Sequence, residues 1–306
     1  MSGSTVGAGT DSVRVRATAR GRALAIALAV VLVGTSAAAC GDPDPTFLGR
    51  SRITIAHKND QPGTSYKPDY NYSGFDYLLG TRILDELGLK DPSRPIDVPS
   101  EERVTAITTR EADLVIATFS ITEERMAEID FVGPYAITYQ GFIVGKDGGD
   151  IHTVEDLDGR SVCTWKGTTS EQVLARPAYE DIDLDVLGDA SDCFDELREG
   201  RSDAVSTDQL ILYGFADHYA DEGLRVLPGQ TVGPPQYYGI GMPKGYREDC
   251  ERLREIVKRY VDSSDWLADI KETLRLIPEN ETDWQTQYRP SAAAIDSRSC
   301  RDSPSP

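Results

Sequence analysis

The stretch of residues 111–135 constrains the fold most, because it joins a buried strand, a turn with free hydroxyls, a helix start and a second strand without interruption. Its apolar run Leu114–Ala117 is typical of a parallel strand that is covered on both faces. Either Ser120 or Thr122 then caps a helix that two glutamates open, since acidic residues suit a helix N-terminus. The stretch predicts an α/β fold with polar side chains in the turn after a strand.

Arg125 is the unusual residue of this stretch, because a cation in the first turn lies at the unfavourable end of the helix dipole. It requires an anion nearby, and the residues alone leave two kinds open. One is a carboxylate of its own element, from Glu128 or Asp130. The other is a ligand carboxylate, held by the guanidinium fork and by backbone N–H groups at the helix start.

The run ADLVIATFSITEER over residues 112–125, followed by IDFVGPY, resembles the signature of the polar amino-acid-binding proteins of ABC importers, the glutamine/glutamate-binding group. The resemblance extends from Arg52 to Ile277. In that family the arginine of this turn clamps the α-carboxylate of the ligand. The resemblance therefore implies this role for Arg125, and ligand contacts for three neighbours, Thr118, Phe119 and Ser120.

The N-terminal region has the features of an export signal. Several arginines precede the apolar run Ala23–Val33, which has the length of a signal-peptide core and is too short for a permanent membrane span. The residues before Cys40 resemble a lipobox, so we predict a signal peptide over residues 1–39, a lipid on Cys40 that anchors the protein to the outer face of the cytoplasmic membrane, and a tether over residues 40–50. The alternative is ordinary signal cleavage, which leaves Cys40 as a spare thiol.

The chain is strongly acidic, with a formal net charge of −19 at pH 7. Removal of residues 1–39, which carry four arginines and one aspartate, makes it more acidic still. This charge argues against nucleic acid and anionic lipid surfaces as partners. It does not identify a small ligand, because a zwitterion or a locally basic pocket is insensitive to the global charge.

Four cysteines follow Cys40, and in an exported chain disulfides are the default. Four cysteines allow three pairings. We predict Cys163–Cys193, which lie in one predicted segment, and Cys250–Cys300, which would hold the C-terminal tail. Metal binding is the alternative, but the chain lacks the CxxC or Cys/His spacing of a metal site.

The loop His57–Gly63 is the first candidate ligand loop. It is rich in turn residues and follows the predicted strand Ile53–Ala56, at the carboxyl end where ligands of open α/β sheets bind. Together with the SGFD run after Tyr72 it resembles the first lobe of the family. Asp60 and Tyr66 are therefore candidate pocket residues, and a solvated loop is the alternative.

A second candidate loop follows the predicted strand Arg160–Trp165. Its hydroxyls and N–H donors open a helix and can hold a carboxylate. The alternative is that the residues of this turn only cap the helix, and some of them must do so in any case. The resemblance implies ligand contacts for the end of the strand and the turn, namely Trp165, Lys166, Thr168, Thr169 and Ser170.

Residues 201–208 resemble the GRADAV element of the family and end at Asp208. A carboxylate at a strand end, opposite Arg125 across a cleft, would pair with the α-ammonium group of an amino acid. The alternative is that Asp208 is the N-cap of the predicted helix Gln209–Phe215.

The resemblance implies a two-lobed α/β fold of the type II periplasmic-binding class, in which each lobe has a central sheet flanked by helices and two strands form the hinge. We predict the first lobe over residues 51–139 and 237–285, the second over residues 140–236, and a C-terminal tail over residues 286–306. The segment 290–306 should be loosely ordered except where Cys300 holds it.

The expected function is an exported, monomeric binding protein without a cofactor, which closes around a polar L-amino acid and delivers it to an ABC permease. The loop Asn59–Gly63 most resembles that of relatives that take glutamate, so the resemblance implies glutamate as the ligand, with aspartate, glutamine or asparagine as alternatives. Trp165 stands where several glutamine-binding relatives carry a lysine. Three side chains are available as cations for a side-chain carboxylate, namely His57, Lys58 and Lys166.

Two other functions remain open from the sequence. One is an amino-acid sensor that presents its ligand to a membrane signalling receptor. The other is an enzyme on the same fold, but the three histidines, His57, His152 and His218, are not near a serine or cysteine in a recognisable nucleophile motif. We therefore expect no catalytic residues.

Overall fold

The computed structural model describes residues 46–89 and 95–301. The predicted signal peptide, Cys40 and most of the predicted tether lie outside the described residues, as do residues 302–306. Within the two described ranges, the helices are all too short or too polar to cross a bilayer.

Strands and helices are interspersed along most of the described chain, which ends in five consecutive helices. The strands are β1 (Ile55–His57), β2 (Asp60–Gln61), β3 (Ser65–Tyr66), β4 (Ile96–Asp97), β5 (Leu114–Val115), β6 (Asp130–Val144), β7 (Ser161–Trp165), β8 (Asp183–Leu187), β9 (Ala204–Asp208), β10 (Arg225–Val226) and β11 (Val232–Met242). The helices are α1 (Phe75–Glu86), α2 (Arg103–Thr108), α3 (Glu123–Glu128), α4 (Thr169–Leu174), α5 (Ala190–Arg198), α6 (Gln209–His218), α7 (Arg247–Asp262), α8 (Ser264–Thr273), α9 (Leu276–Asn280), α10 (Trp284–Tyr288) and α11 (Ala292–Arg298).

The main sheet has the order β4-β1-β5-β11-β6-β9-β7-β8, with β10 paired to β6. At one end β1 pairs in parallel with β4 and β5, and at the other β7 pairs in parallel with β8 and β9. We call β1–β5 with α1–α3 the first lobe, and β7–β9 with α4–α6 the second lobe. In the main sheet, β1 lies between β4 and β5, and β7 lies between β8 and β9. Ligands of such sheets bind beyond the carboxyl ends of the strands, where the strand order reverses.

The two lobes are joined by β6 and β11, which form an antiparallel pair from Asp130–Met242 to Gln140–Val232. The strand β6 continues without a break through Ala136, Ile137 and Thr138, where pairing with β11 supplies its backbone partners. The exact lobe boundaries remain a prediction.

Both lobes bury apolar side chains on two faces of their strands, as expected for parallel sheets. In the first lobe, α1 packs on one face together with α7, α8 and the later helices, and α2 and α3 pack on the other. In the second lobe, α5 and α6 cover one face and α4 the other. This layering leaves the strand ends and their loops to form the cleft.

Both predicted disulfides are present. Cys163 on β7 bonds to Cys193 on α5, and Cys250 on α7 bonds to Cys300 just after α11.

The prediction of a loosely ordered tail is wrong for the described residues 290–301. The hydroxyl of Ser291 caps α11 by accepting the N–H of Ala294, and Ile295 is buried against the first-lobe core. The hydroxyl of Ser299 accepts the N–H of Gly133 on β6. The serine- and alanine-rich composition suggested disorder, but the segment forms a helix that is capped by Ser291 and buries Ile295. The Cys250–Cys300 disulfide holds this helix in place.

Candidate ligand-binding site

The strand ends of the two lobes face a small buried cavity, with contributions from the loops after β1, β5, β7 and β9. The lining residues are Gln61, Ser100, Arg103, Thr118, Ser120, Arg125, Trp165, Thr168, Thr169, Ser170, Thr207, Asp208 and Ile211. The predicted site residues among them are Thr118, Ser120, Arg125, Trp165, Thr168, Thr169, Ser170 and Asp208. Four of the predicted residues lie elsewhere, namely Asp60, Tyr66, Phe119 and Lys166.

Arg125 is held by backbone carbonyl groups. The hydroxyl of Thr122 caps α3 by accepting the Arg125 N–H, so the cap is Thr122 rather than Ser120. The guanidinium donates to the carbonyl oxygen of Ser120 at 2.7 Å and, across the cleft, to that of Gly167 at 2.8 Å. Burial lowers the pKa of Arg125 to about 10. Its hydrogen bonds within the described residues are to neutral acceptors, so the positive charge is available to an anion.

Arg103, at the start of α2, is a second buried cation of the site that the sequence reasoning missed. Its guanidinium donates to the carbonyl oxygens of Ala117 and Thr118 and to the Gly167 carbonyl oxygen at 2.9 Å. Burial lowers its pKa to about 9, and the charge of Arg125 acts in the same direction. A signal existed, because Arg103, like Arg125, places a cation in the first turn of a helix.

Phe119 lies beneath both guanidinium groups rather than in the cavity lining. The carbon at the centre of each guanidinium is close to the centre of the Phe119 ring, at 4.7 Å for Arg103 and 4.9 Å for Arg125. The electron-rich face of an aromatic ring attracts a cation, most strongly in a desolvated setting. Phe119 therefore supports the two charges from behind, and its own contacts are with the core, where it packs against Phe131.

Thr118 has a left-handed backbone with φ of 45°, which is strained for a β-branched residue. Its N–H donates to the buried carboxylate of Asp76 at 2.7 Å, and the hydroxyl of Tyr135 donates to the other oxygen of that carboxylate. Burial raises the pKa of Asp76 to about 7. Asp76, in the SGFD run, thus holds the turn in shape from behind the cavity.

The turn after β7 both caps a helix and lines the cavity. The hydroxyl of Thr168 accepts the N–H of Glu171 at the start of α4, so the capping alternative holds for this residue. Thr169 and Ser170 are buried in the lining. The indole N–H of Trp165 donates to the hydroxyl of Ser100 across the cleft, whereas Lys166 is exposed.

Asp208 ends β9 and occupies the N-cap position of α6, but its side chain accepts no N–H of that helix. One carboxylate oxygen, Oδ2, accepts the hydroxyl of Tyr238 at 2.7 Å. The other, Oδ1, is buried and has no hydrogen-bond partner among residues 46–89 and 95–301. Burial raises the pKa of Asp208 to about 6, against the lowering effects of the Tyr238 hydroxyl and of the charges of Arg103 and Arg125.

Asp60 bridges the lobes outside the cavity. Its Oδ2 accepts the N–H of Ala190 at 2.9 Å and that of Ser191 at 3.4 Å, at the start of α5. The ammonium group of Lys58 pairs with Asp60 at 3.2 Å and with Asp189 of the second lobe at 3.0 Å. Lys58 is therefore engaged in a contact between lobes.

The remaining predicted residues also lie outside the lining. The ring of Tyr66 packs edge-on against His218 of the second lobe. The Nδ1 atom of His57 lies 2.8 Å from the carbonyl oxygen of Ile116, and burial lowers the pKa of His57 to about 4. His57 is therefore neutral at pH 7, and of the cations considered from the sequence only Arg125 lines the cavity.

Residues 53–288 match the sequence model of a protein family, the bacterial extracellular solute-binding proteins, family 3. The chain belongs to this family. The glutamate-binding protein GluB of Corynebacterium efficiens is 34% identical over 229 residues, which cover 71% of this chain and 77% of that protein. A glutamine-binding protein of Geobacillus stearothermophilus is 35% identical over 182 residues, which cover 59% and 67%. The solved structure of an ancestral arginine-binding protein bound to arginine has a TM-score of 0.66 at 26% identity and covers 73% of this chain and 98% of its own.

This family-3 solute-binding protein is an exported protein by its membership, and its fold is that of the type II amino-acid-binding proteins. Its last described residues lie beyond the matched span. There α11 and the Cys250–Cys300 bridge bring Arg301 to Glu123, with which it forms an ion pair. Glu123 begins α3, so this C-terminal segment braces the helix that carries Arg125.

Proposed function

We propose that the protein binds an acidic amino acid, with glutamate preferred, by closure of its two lobes, and that it delivers this ligand to an ABC importer. The observation that carries the proposal is the charge in the cavity. Among the described residues that line it, the charged side chains are Arg103, Arg125 and Asp208.

The two guanidinium groups and one carboxylate leave the lining with an excess positive charge. A buried charge without a partner is costly, and an acidic amino acid, with two carboxylates and one ammonium group, supplies the complementary set. Glutamine or another neutral zwitterion would leave one guanidinium without a counter-charge. Asp76 lies behind Thr118 and has a pKa near neutrality, so it offers only partial compensation.

The positions of these groups support one set of contacts with the ligand. Arg125, the Ser120 turn and the Thr168–Ser170 turn hold the α-carboxylate of the ligand, and Asp208 holds its ammonium group. Arg103, beside the Ser100 hydroxyl, is left for the side-chain carboxylate. Because Arg125 belongs to the first lobe and Asp208 to the second, one ligand that pairs with both favours the closed arrangement.

The relatives are consistent with this ligand class. The proteins of Corynebacterium and Geobacillus are named for the binding of glutamate and glutamine, and the cavity charge favours the first of these ligands here. The family consists of solute-binding proteins, so membership favours binding over turnover.

Calorimetric titration of the purified protein against single L-amino acids tests the ligand class. Bound ligand is first removed by unfolding and oxidative refolding. We expect tight binding of glutamate, weaker binding of aspartate, and glutamine at least about tenfold weaker, because one desolvated charge pair is lost. Equal affinities for glutamate and glutamine would contradict the charge argument, and no binding of any amino acid would contradict the function.

The delivery step and the lipid anchor require a test in cells. A strain that lacks the gene should lose uptake of labelled glutamate, and the intact gene should restore it. A Cys40→Ser copy should yield protein released into the medium with poor uptake. Normal glutamate uptake without the gene would contradict the importer role.

A further inference from the structure

Asp208 shows an unusual use of a helix N-cap position. An aspartate there normally accepts the N–H of the second or third residue of the helix. In this protein the N–H of Leu210, the second residue of α6, donates instead to the hydroxyl of Thr138 at 3.3 Å. Thr138 lies on β6 and is fully buried, so a side chain from another strand performs the capping.

The second constraint on Asp208 comes from β11. The phenol of Tyr238 is fully buried and donates to Oδ2 of Asp208 at 2.7 Å. Hydrogen bonds from a neutral donor to a buried carboxylate are among the stronger ones in proteins. This bond fixes the rotation of the carboxylate and occupies one of its two oxygens.

The result of both contacts is that the other oxygen, Oδ1, is left without a partner among the described residues although it is buried. It belongs to a residue that lines the cavity. Native proteins satisfy nearly all buried polar atoms, so an acceptor that two neighbours keep out of the helix cap indicates a donor supplied by a ligand.

We propose that Thr138 and Tyr238 are positioning residues that reserve Oδ1 of Asp208 for the ammonium group of the bound amino acid. The inference rests on the proposed function, in which Asp208 holds that group. Thr138 removes the competing helix N–H, and Tyr238 sets the orientation of the carboxylate and favours its ionised form. Neither residue lines the cavity, so neither touches the ligand.

The groups that set the ionisation of Asp208 are on three elements. Tyr238 on β11 lowers its pKa by hydrogen bonding, and Arg103 on α2 and Arg125 on α3 lower it by charge, all against the effect of burial. An ionised Asp208 is required to hold an ammonium group. Loss of the Tyr238 hydroxyl should therefore raise the pKa of Asp208. As the pH is lowered, ligand affinity should then begin to fall at a higher pH than in the wild type.

The test compares Tyr238→Phe and Thr138→Val with Asp208→Asn in calorimetric titrations with L-glutamate from pH 4.5 to 8. We expect Tyr238→Phe to lose about ten- to hundredfold in affinity at pH 7, and its affinity to begin to fall at a higher pH than in the wild type. Thr138→Val should lose affinity because the free Leu210 N–H draws Asp208 into the cap. Tyr260→Phe is the matched control, since its phenol donates to a different aspartate, Asp269.

A second readout needs no ligand. The ¹³C carboxyl titration of Asp208 in the ligand-free protein should show a higher pKa in Tyr238→Phe than in the wild type, and no change in Tyr260→Phe. If Tyr238→Phe does not fold, the two variants at Thr138 provide the comparison. Thr138→Ser keeps the hydroxyl acceptor and should bind glutamate as the wild type does, whereas Thr138→Val should bind it more weakly.

The outcomes separate the inference from the proposed function. If Asp208→Asn abolishes glutamate binding while Tyr238→Phe and Thr138→Val keep wild-type affinity and pH midpoint, the positioning role is wrong and the proposed function stands. If Asp208→Asn binds glutamate as the wild type does, the ammonium contact is elsewhere and the positioning role falls with it, while glutamate binding stands. If the wild type binds no amino acid, the proposed function itself is wrong.

Discussion

Gly167 of the second lobe lies so close to Glu101 of the first that a Cβ added to Gly167 would come within 2.4 Å of the Glu101 Cα atom. Real Cβ atoms do not approach backbone this closely, since interiors are packed at contact distance. The carbonyl oxygen of Gly167 also accepts hydrogen bonds from both Arg103 and Arg125. The absence of a side chain at Gly167 is thus a condition for the contact between the lobes.

Gly167→Ala should therefore lower ligand affinity by hindering closure, by about tenfold or more. The substitution also strains the backbone, because φ at Gly167 is 72°. Gly159→Ala is the matched control, since Gly159 has the same φ of 72° and open space around its Cα. Calorimetry with glutamate and small-angle scattering with and without ligand provide the measurement. Equal affinities of the two variants would show that the Glu101 contact does not limit closure.

Asp60→Ala should increase the dissociation rate of the ligand although Asp60 does not line the cavity. The change removes the acceptor for the N–H groups of Ala190 and Ser191 across the lobes and leaves buried Lys58 with Asp189 alone. We expect a roughly tenfold faster release, as for other losses of a charged hydrogen-bond acceptor.

Displacement of labelled glutamate by an excess of unlabelled ligand measures this rate. The control is Asp265→Ala, which removes an exposed ion pair with Arg82 within the first lobe and its associated helices and should leave release unchanged. An Asp60→Ala variant that releases ligand at the wild-type rate would restrict Asp60 to a role in folding.

The ligand-free protein should show a pH dependence of stability that originates in Asp76. Its pKa of about 7 lies above the value near 3.9 of an unfolded chain, so the folded state binds the proton more tightly. The stability from this group is complete below about pH 4 and is lost as the pH rises towards 7. His57, with a lowered pKa of about 4, acts in the opposite direction between about pH 4 and 6.5.

Asp208, whose pKa is raised to about 6, acts in the same direction as Asp76. Comparison with Asp76→Asn isolates the effect of Asp76, because His57 and Asp208 are common to both proteins. The melting temperature of the wild type minus that of Asp76→Asn should be larger near pH 5 than near pH 8. A difference that does not change with pH would mean that Asp76 titrates in the ordinary range.

Removal of the bridge between Cys250 and Cys300 should destabilise the protein by about 3–4 kcal/mol, from the loop entropy of a crosslink over a sequence separation of 50. The double replacement by serine should also weaken glutamate binding, since it frees the segment that braces α3. The matched control is the double replacement at Cys163 and Cys193, which should cost stability without this effect on α3. Denaturant unfolding and calorimetry measure both, and an unchanged unfolding midpoint would contradict the prediction.

The polar turn and the strand ends were predictable because their signals are local. The cation at Arg125, the acidic helix start and the strand before it lie within one short stretch, and their structure follows from neighbouring residues. Asp208 was ambiguous for the same reason, since an N-cap and a ligand contact require the same residue at the same place. Its free oxygen depends on Thr138 and Tyr238, which are distant in sequence.

Long-range contacts account for what the sequence did not reveal. Lys58 seemed available as a cation because Asp189, its partner, belongs to the other lobe. Arg103 was missed because its burial depends on Phe119 and on the Gly167 carbonyl group, neither of which lies on its helix. The order of residues 290–301 depends on β6 and on a disulfide, and composition alone reports neither.

Because Trp165 forms a hydrogen bond to Ser100 across the cleft, its fluorescence should report whether the cleft is open or closed. Opening the lobes would break this bond and expose the indole to water, so that the emission maximum of Trp165 would move to longer wavelength. The other tryptophans, Trp266 and Trp284, stack on each other next to the first-lobe core, away from the cleft. Their constant emission would serve as an internal reference, so the unlabelled protein could be used directly as a fluorescent sensor for its ligand.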